Sequence, residues 1–242
     1  MLLPDEPHPE SVHPVSHEVQ IEKQIKSIRG RLMQEAASAI GMVESAVDAL
    51  MRLDVQAARA VMGRDDEVDR EEVRIEEECF RLLTLFNPVA RDFREVATML
   101  KVNGDLERVA DHATSVAKQT VKLAKLGVPQ WPTSLQELTH RVPMMCHALL
   151  AALQRDDAVA ARAVMNNDEA IDKLVKRLFE EAIESMGDDR NSKAVGMLMY
   201  RCGRELERIG DLMKNIAEDL IYLVTGSIVR HEAKQAKAPT PE

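Results

Sequence analysis

The sequence has few aromatic residues: one Trp, two Tyr and four Phe make up 3% of its 242 residues. β-Sandwiches and β-barrels depend on aromatic and β-branched residues and on many turns, so this composition disfavours both. Hydrophobic residues (45%) are numerous enough for a core, and the charged fraction (30%) is ordinary for a folded chain. The composition therefore favours packed amphipathic helices.

Cysteines are also scarce. Cys79, Cys146 and Cys202 lie far apart and form no C-x-x-C motif, which excludes a zinc knuckle and a disulfide framework. We expect three reduced thiols in the core. No apolar run approaches the roughly 18 residues of a membrane-spanning helix, and the acidic, proline-broken N-terminus does not resemble a signal peptide. These observations predict a cytoplasmic protein.

An excess of positive charge is missing as well. The formal net charge is −9 at pH 7, and a chain of this charge is a poor match for the phosphate backbone of DNA or RNA. We therefore expect no nucleic-acid partner.

What the sequence does contain is helical periodicity and an internal repeat. Residues 58–62 (ARAVM) recur at 161–165, and residues 105–111 (DLERVAD) recur as ELERIGD at 205–211. The pattern predicts an all-α fold of two tandem, repeat-related three-helix bundles with six long helices. The predicted organisation is a disordered N-terminal arm (1–19), a first repeat (20–128), a second repeat (129–226) and a C-terminal tail (227–242).

Two helix boundaries follow from local signals. Asn87-Pro88 predicts the start of the third helix, with Asn87 as its N-cap and Pro88 at the first helical position. The fifth helix is predicted to extend without a break from about Ala158 to Met186, where Gly187 ends it.

Acidic pairs four residues apart occur at matching positions of the two repeats. Residues at i and i+4 share one helix face, so each pair places two carboxylates side by side, as ligands of a hard or borderline cation would be. Solvated charge is the commoner meaning of such a pair, and several others in this chain have no counterpart in the other repeat. The candidate metal ligands are Asp65, Asp69, Glu107 and Asp111 in the first repeat, and Asp168, Asp172, Glu207 and Asp211 in the second.

The recurring segments at 105–111 and 205–211 resemble a known signature. Residues 106–111 (LERVAD) and 206–211 (LERIGD) are similar to the L-E-R-I-G-D motif of the PhoU family of bacterial phosphate-transport regulators. The first copy departs from that motif at Ala110, where the second retains Gly210. The resemblance extends over about residues 20 to 231 and implies two three-helix bundles whose acidic pairs bind multinuclear metal clusters of iron or zinc, although other divalent cations are open.

The resemblance also implies a role. Members of the family repress the phosphate-starvation response by linking the ATPase subunit of the phosphate transporter to a sensor histidine kinase, and they catalyse no reaction. We expect such an adaptor to be a homodimer. We expect it to associate with the membrane only through its partner proteins. Two other interpretations stay open: a metalloenzyme that uses the acidic clusters for hydrolytic or redox chemistry, and a purely structural helical repeat.

Overall fold

The computed structural model describes residues 17–128 and 130–229, and the secondary structure of these residues is helical throughout, with no strand. Six helices are long, between 18 and 37 residues, and two are short, with eight residues each. The helices are α1 (His17–Arg52), α2 (Val55–Met62), α3 (Asp65–Phe86), α4 (Ala90–Leu126), α5 (Thr133–Arg155), α6 (Ala158–Met165), α7 (Asp168–Ser185) and α8 (Arg190–Thr225).

The predicted all-α fold with six long helices in two repeats is confirmed. Helices α1–α4 form the first repeat and α5–α8 the second, in the same order and with the short helix in the same place. The central helices α4 and α8 pack against each other, and the other helices of each repeat pack around its own central helix. One continuous apolar core extends through both repeats, so the two bundles are joined along α4 and α8.

The short helices α2 and α6 are the main addition to the predicted pattern. Each begins at an aspartate, Asp54 or Asp157, whose carboxylate accepts hydrogen bonds from two backbone N–H groups of the first turn. The prediction of one unbroken helix from Ala158 to Met186 is wrong, because a turn at Asn166 and Asn167 separates α6 from α7. The Asn167 side chain donates to the Ala163 carbonyl oxygen, and such local bonds compete with helix continuation.

The predicted role of Asn87 is also wrong. Asn87 is the C-cap of α3, with a left-handed backbone (φ 45°, ψ 55°), and α4 begins only at Ala90. Asparagine tolerates the left-handed region better than most residues, and this conformation ends a helix instead of starting one.

The two ends of the described chain are more ordered than the predicted domain boundaries suggest. Helix α1 begins at His17, so residues 17–19 are helical, and Val229 lies within the predicted tail yet is 3% exposed. The remaining residues predicted as arm and tail, 1–16 and 230–242, lie outside the described residues. None of the described helices is both long enough and apolar enough to cross a membrane.

The departure from the signature at position 110 has a steric explanation. A Cβ added at Gly210 would lie 3.0 Å from Cδ1 of Ile171. With the offset of 103 that relates α3 to α7, the residue equivalent to Ile171 is Val68, which is one carbon shorter and also buried. A shorter side chain in the first repeat leaves room for the methyl group of Ala110.

Candidate metal centre: two acidic clusters

The four acids predicted in the first repeat lie together on two neighbouring helices. Asp65 and Asp69 occupy the first turns of α3, and Glu107 and Asp111 lie near the middle of α4, which packs against α3. Thr114 on α4 donates a 3.0 Å hydrogen bond from Oγ1 to Oδ1 of Asp65, which ties the two helices at this point.

The electrostatics show how close these carboxylates are. The pKa of Asp69 is raised by partial burial and then by the charges of Asp65 and Asp111. Burial likewise raises the pKa of Glu107, followed by the charges of Asp111 and Asp69. Carboxylates from α3 and α4 therefore lie close enough to make the ionisation of Asp69 and Glu107 less favourable.

Sequence reasoning missed a fifth acid of this cluster, Glu35 on α1. Glu35 is only 3% exposed, and its Oε1 atom has no hydrogen-bond partner among the described residues. Burial raises its pKa to about 8, and the next causes are the charges of Glu71, Glu72, Asp69 and Glu107. Its carboxylate is thus buried next to other carboxylates.

The sequence does contain a signal for Glu35. Leu32 and Ala36 belong to the apolar stripe of α1, and Glu35 lies on the same face, three residues after Leu32 and immediately before Ala36. A charged residue within a buried stripe is rare unless it is paired. A cleft of about 410 Å³ between α1 and α3 adjoins Glu35 and gives this side of the cluster access to solvent.

Glu72 on α3 is the sixth acid of the group. Its pKa is raised by burial, by Glu76 and by Asp69, and its charge contributes to the raised pKa of Glu107. We call the six residues the first cluster: Glu35, Asp65, Asp69, Glu72, Glu107 and Asp111.

In the second repeat the four predicted acids lie on α7 and α8, and three of them converge closely. One carboxylate oxygen from each of Asp168, Asp172 and Asp211 lies within 4.8 Å of the others. Burial raises the pKa of Glu207, and the charges of Asp172 and Asp211 add to this effect, whereas Arg204 opposes it. We call Asp168, Asp172, Glu207 and Asp211 the second cluster.

Two basic residues are built into the second cluster. Lys214 forms an ion pair with Asp168, and Arg204 forms one with Glu207. The hydrogen bond to Asp168 raises the pKa of the Lys214 ammonium group. In contrast, burial and neighbouring carboxylates are the only causes of the raised pKa at Glu35, Asp69, Glu72 and Glu107.

The donor set of both clusters consists of carboxylate oxygens on facing helices. Hard and borderline cations prefer such ligands, and a cation between the helices would remove the repulsion among the carboxylates. The unpartnered buried oxygen of Glu35 fits the same interpretation, because a buried carboxylate without a partner is costly. The cysteines are a different case: all three are buried, and burial raises their thiol pKa to about 12, which makes them poor thiolate ligands or nucleophiles.

Fold and site together define a class of protein: an all-α protein of two tandem repeats, each with a carboxylate cluster between its central helix and a neighbouring helix. The family model described as the PhoU domain matches residues 32–120 and again residues 135–220, one match in each repeat. The chain therefore belongs to the PhoU family, and the resemblance seen in its two signatures is confirmed.

Relatives of known name agree with this assignment. The chain is 30% identical over 207 residues to the phosphate-specific transport system accessory protein PhoU homolog of Deinococcus radiodurans, a match that covers 86% of this chain and 97% of that protein. It is 33% identical over 213 residues to the homolog of the same name from Pseudomonas aeruginosa, with 88% of both chains covered.

Solved structures show the same fold. The crystal structure of PhoU from Pseudomonas aeruginosa matches with a TM-score of 0.83 and 32% identity, over 86% of this chain and all of that one (100%). The phosphate transport system regulatory protein PhoU from Streptococcus pneumoniae matches with a TM-score of 0.78 and 27% identity, over 88% of this chain and 99% of that one.

Proposed function

We propose that this protein is a negative regulator of the phosphate-starvation response. In this role it is a cytoplasmic adaptor that links the ATPase subunit of the phosphate transporter to the sensor histidine kinase and limits phosphate uptake. The observation that supports the proposal most is the extent of the family match, since both repeats match the PhoU domain and relatives named as accessory proteins of phosphate transport align over 97% or 88% of their length.

We further propose that the acidic clusters bind metal ions, with iron and zinc as the first candidates. The residues that would hold them are Asp65, Asp69, Glu107 and Asp111 in the first repeat, and Asp168, Asp172, Glu207 and Asp211 in the second. A bound cation would supply positive charge between α3 and α4, or between α7 and α8, and would thereby hold each pair of helices together. The adaptor would work as a homodimer.

The metalloenzyme alternative has less support. The relatives are named as accessory or regulatory proteins, and none of those names describes a catalytic activity. The three thiols of the chain are buried, so they offer no accessible nucleophile.

A gene deletion tests the regulatory proposal. In phosphate-rich medium, a deletion strain without a second gene of the family should synthesise alkaline phosphatase and take up phosphate at the rates of starved cells. Supplying the full-length gene in trans should restore repression. Phosphatase activity that stays at the repressed level in the deletion strain would contradict the proposed role.

A further inference from the structure

The two clusters occupy equivalent places in the repeats but differ in charge. The equivalence is fixed by the helix ends: α1 and α5 end at Arg52 and Arg155, and α3 and α7 begin at Asp65 and Asp168, each pair 103 residues apart. The signatures on α4 and α8 are related by an offset of 100. These offsets allow the lining of the two clusters to be compared position by position.

The first cluster contains two carboxylates that the second lacks. The counterpart of Glu35 is Leu138, and that of Glu72 is Val175. Both counterparts are apolar and buried, with exposed fractions of 0% and 3%. At these two positions the second repeat therefore has apolar side chains where the first repeat has carboxylates.

The second cluster contains two cations that the first lacks. Arg204 and Lys214, which pair with its acids, correspond to Gly104 and Thr114 in the first repeat. With all side chains in their usual charged forms, the six acids of the first cluster have a formal charge of −6, whereas the second cluster with its two cations has a formal charge of −2. Internal counter-ions thus compensate half of the second cluster and none of the first.

Glu35 is a separate observation that favours a positive partner at the first cluster. It is the most deeply buried carboxylate of the cluster, and its Oε1 has no hydrogen-bond partner among the described residues. The charges that act on it come from acids of α3 and α4, although Arg70 and Arg74 also line the cleft beside it. Burying a carboxylate without a partner is strongly unfavourable, and a coordinated cation supplies both charge and ligation.

Geometry alone would point to the other cluster, because among the described residues no three carboxylate oxygens of the first cluster approach one another as closely. The three close oxygens of Asp168, Asp172 and Asp211 resemble a ligand set, but the ammonium group of Lys214 already contacts Asp168. An ammonium group beside a carboxylate repels an incoming divalent cation, and it already binds an oxygen that the cation would need as a ligand. Lys214 and Arg204 therefore lower the expected affinity of the second cluster for a divalent cation below that of the first.

We propose that the two clusters are unequal cation sites, and that a divalent cation binds more tightly at the first cluster than at the second. In the first cluster Glu35 adds a ligand from α1. In the second cluster the positive charges of Lys214 and Arg204 take the place of the cation. This inference rests on the metal-binding part of the proposed function. The cation is one that prefers oxygen ligands, and the first site joins three helices, α1, α3 and α4.

Titration of the metal-stripped, full-length protein with Mn²⁺ alone tests the proposal, because free Mn²⁺ is measured directly by its paramagnetic resonance signal and oxygen-rich sites accept it. The wild type should show one tight class of site and a weaker one. The double variant Glu107→Gln, Asp111→Asn should lose the tight class, and its counterpart Glu207→Gln, Asp211→Asn should retain it.

Two single variants test the stated cause. Glu35→Gln should weaken the tight class at least tenfold. Lys214→Thr gives the second cluster the residue found in the first, and it should tighten the weaker class at least tenfold. The exposed pair Glu180→Gln, Glu184→Gln is the matched control and should leave both classes unchanged; circular dichroism of every variant confirms its helicity.

The outcomes separate the two proposals. Equal affinities at both clusters, or a tight class that is lost on changing Glu207 and Asp211, would overturn the unequal-site inference while leaving metal binding in place. No bound Mn²⁺ in any protein, Lys214→Thr included, would overturn both the inference and the metal-binding proposal. The adaptor role would still be decided by the gene deletion.

Discussion

Replacing Glu35 by glutamine should stabilise the metal-free protein, and the gain should grow with pH. Burial and neighbouring carboxylates raise the pKa of Glu35 from 4.5 to about 8 in the folded state. Well below pH 4.5 the carboxyl group is neutral in both states and contributes no penalty. As pH rises towards 8 the unfolded chain ionises while the folded protein must hold the proton or bury a charge, so folding becomes progressively less favourable.

The size of the effect follows from the shift. At about 1.4 kcal/mol per pKa unit, the ionisation of Glu35 reduces the free energy of unfolding by about 1 kcal/mol at pH 5, about 3 kcal/mol at pH 7 and about 5 kcal/mol at pH 9. Glutamine has nearly the same shape and no charge. The margin by which the Glu35→Gln variant exceeds the wild type in stability should therefore grow from about 1 kcal/mol at pH 5 to about 5 kcal/mol at pH 9.

The measurement is urea denaturation in the presence of a chelator at pH 5, 7 and 9, followed by far-ultraviolet circular dichroism. The control is Glu184→Gln, an exposed carboxylate on α7, which should change stability by less than about 0.5 kcal/mol at every pH. A difference between Glu35→Gln and the wild type that stays constant with pH would refute the reasoning. With Mn²⁺ at a hundredfold excess over the wild-type dissociation constant, the margin should shrink by about 1.3 kcal/mol, because the wild type gains about 2.7 kcal/mol from binding and a variant that binds tenfold more weakly gains only about 1.4 kcal/mol.

Three further predictions concern packing and caps, and each is checked by the melting temperature or urea midpoint. Gly210→Ala should gain less than the roughly 1 kcal/mol by which alanine exceeds glycine within a helix, because its Cβ would lie 3.0 Å from Ile171 Cδ1; Ile171→Val shortens that side chain and should make the Gly210→Ala change more favourable, and an equal effect in both backgrounds would contradict the steric explanation. Asp157→Ala should cost about 1 kcal/mol, since the carboxylate caps α6 through two backbone N–H groups, whereas an unchanged melting temperature would show that the cap contributes nothing. Val229→Ala should cost about 1–2 kcal/mol because this residue is 3% exposed, and a neutral result would place it outside the core.

Much of the fold and part of the candidate site could be predicted from the pattern of residue types. Helical periodicity depends on which residues are apolar at steps of three and four, and this local property was enough to predict the all-α class, the two repeats and the six long helices. The pairs Asp65/Asp69 and Asp168/Asp172 stood out because the same spacing occurs in both repeats. Sequence was weaker at turns: Asn87 and Asn166 can end a helix or precede one, and the surrounding structure decides which.

Which charges lie next to one another depends on the packing of the helices. Glu35 lies 30 residues before Asp65 and on another helix, so its place among the acids of α3 and α4 depends on how the three helices pack. Lys214 follows Asp211 by three residues, yet its partner is Asp168 on α7, a contact that periodicity along one helix does not predict. Coulomb interactions depend on distance in space and on burial, neither of which is given by separation along the chain. From the sequence we predicted two similar acidic clusters, whereas the packing of the helices gives them different charged neighbours.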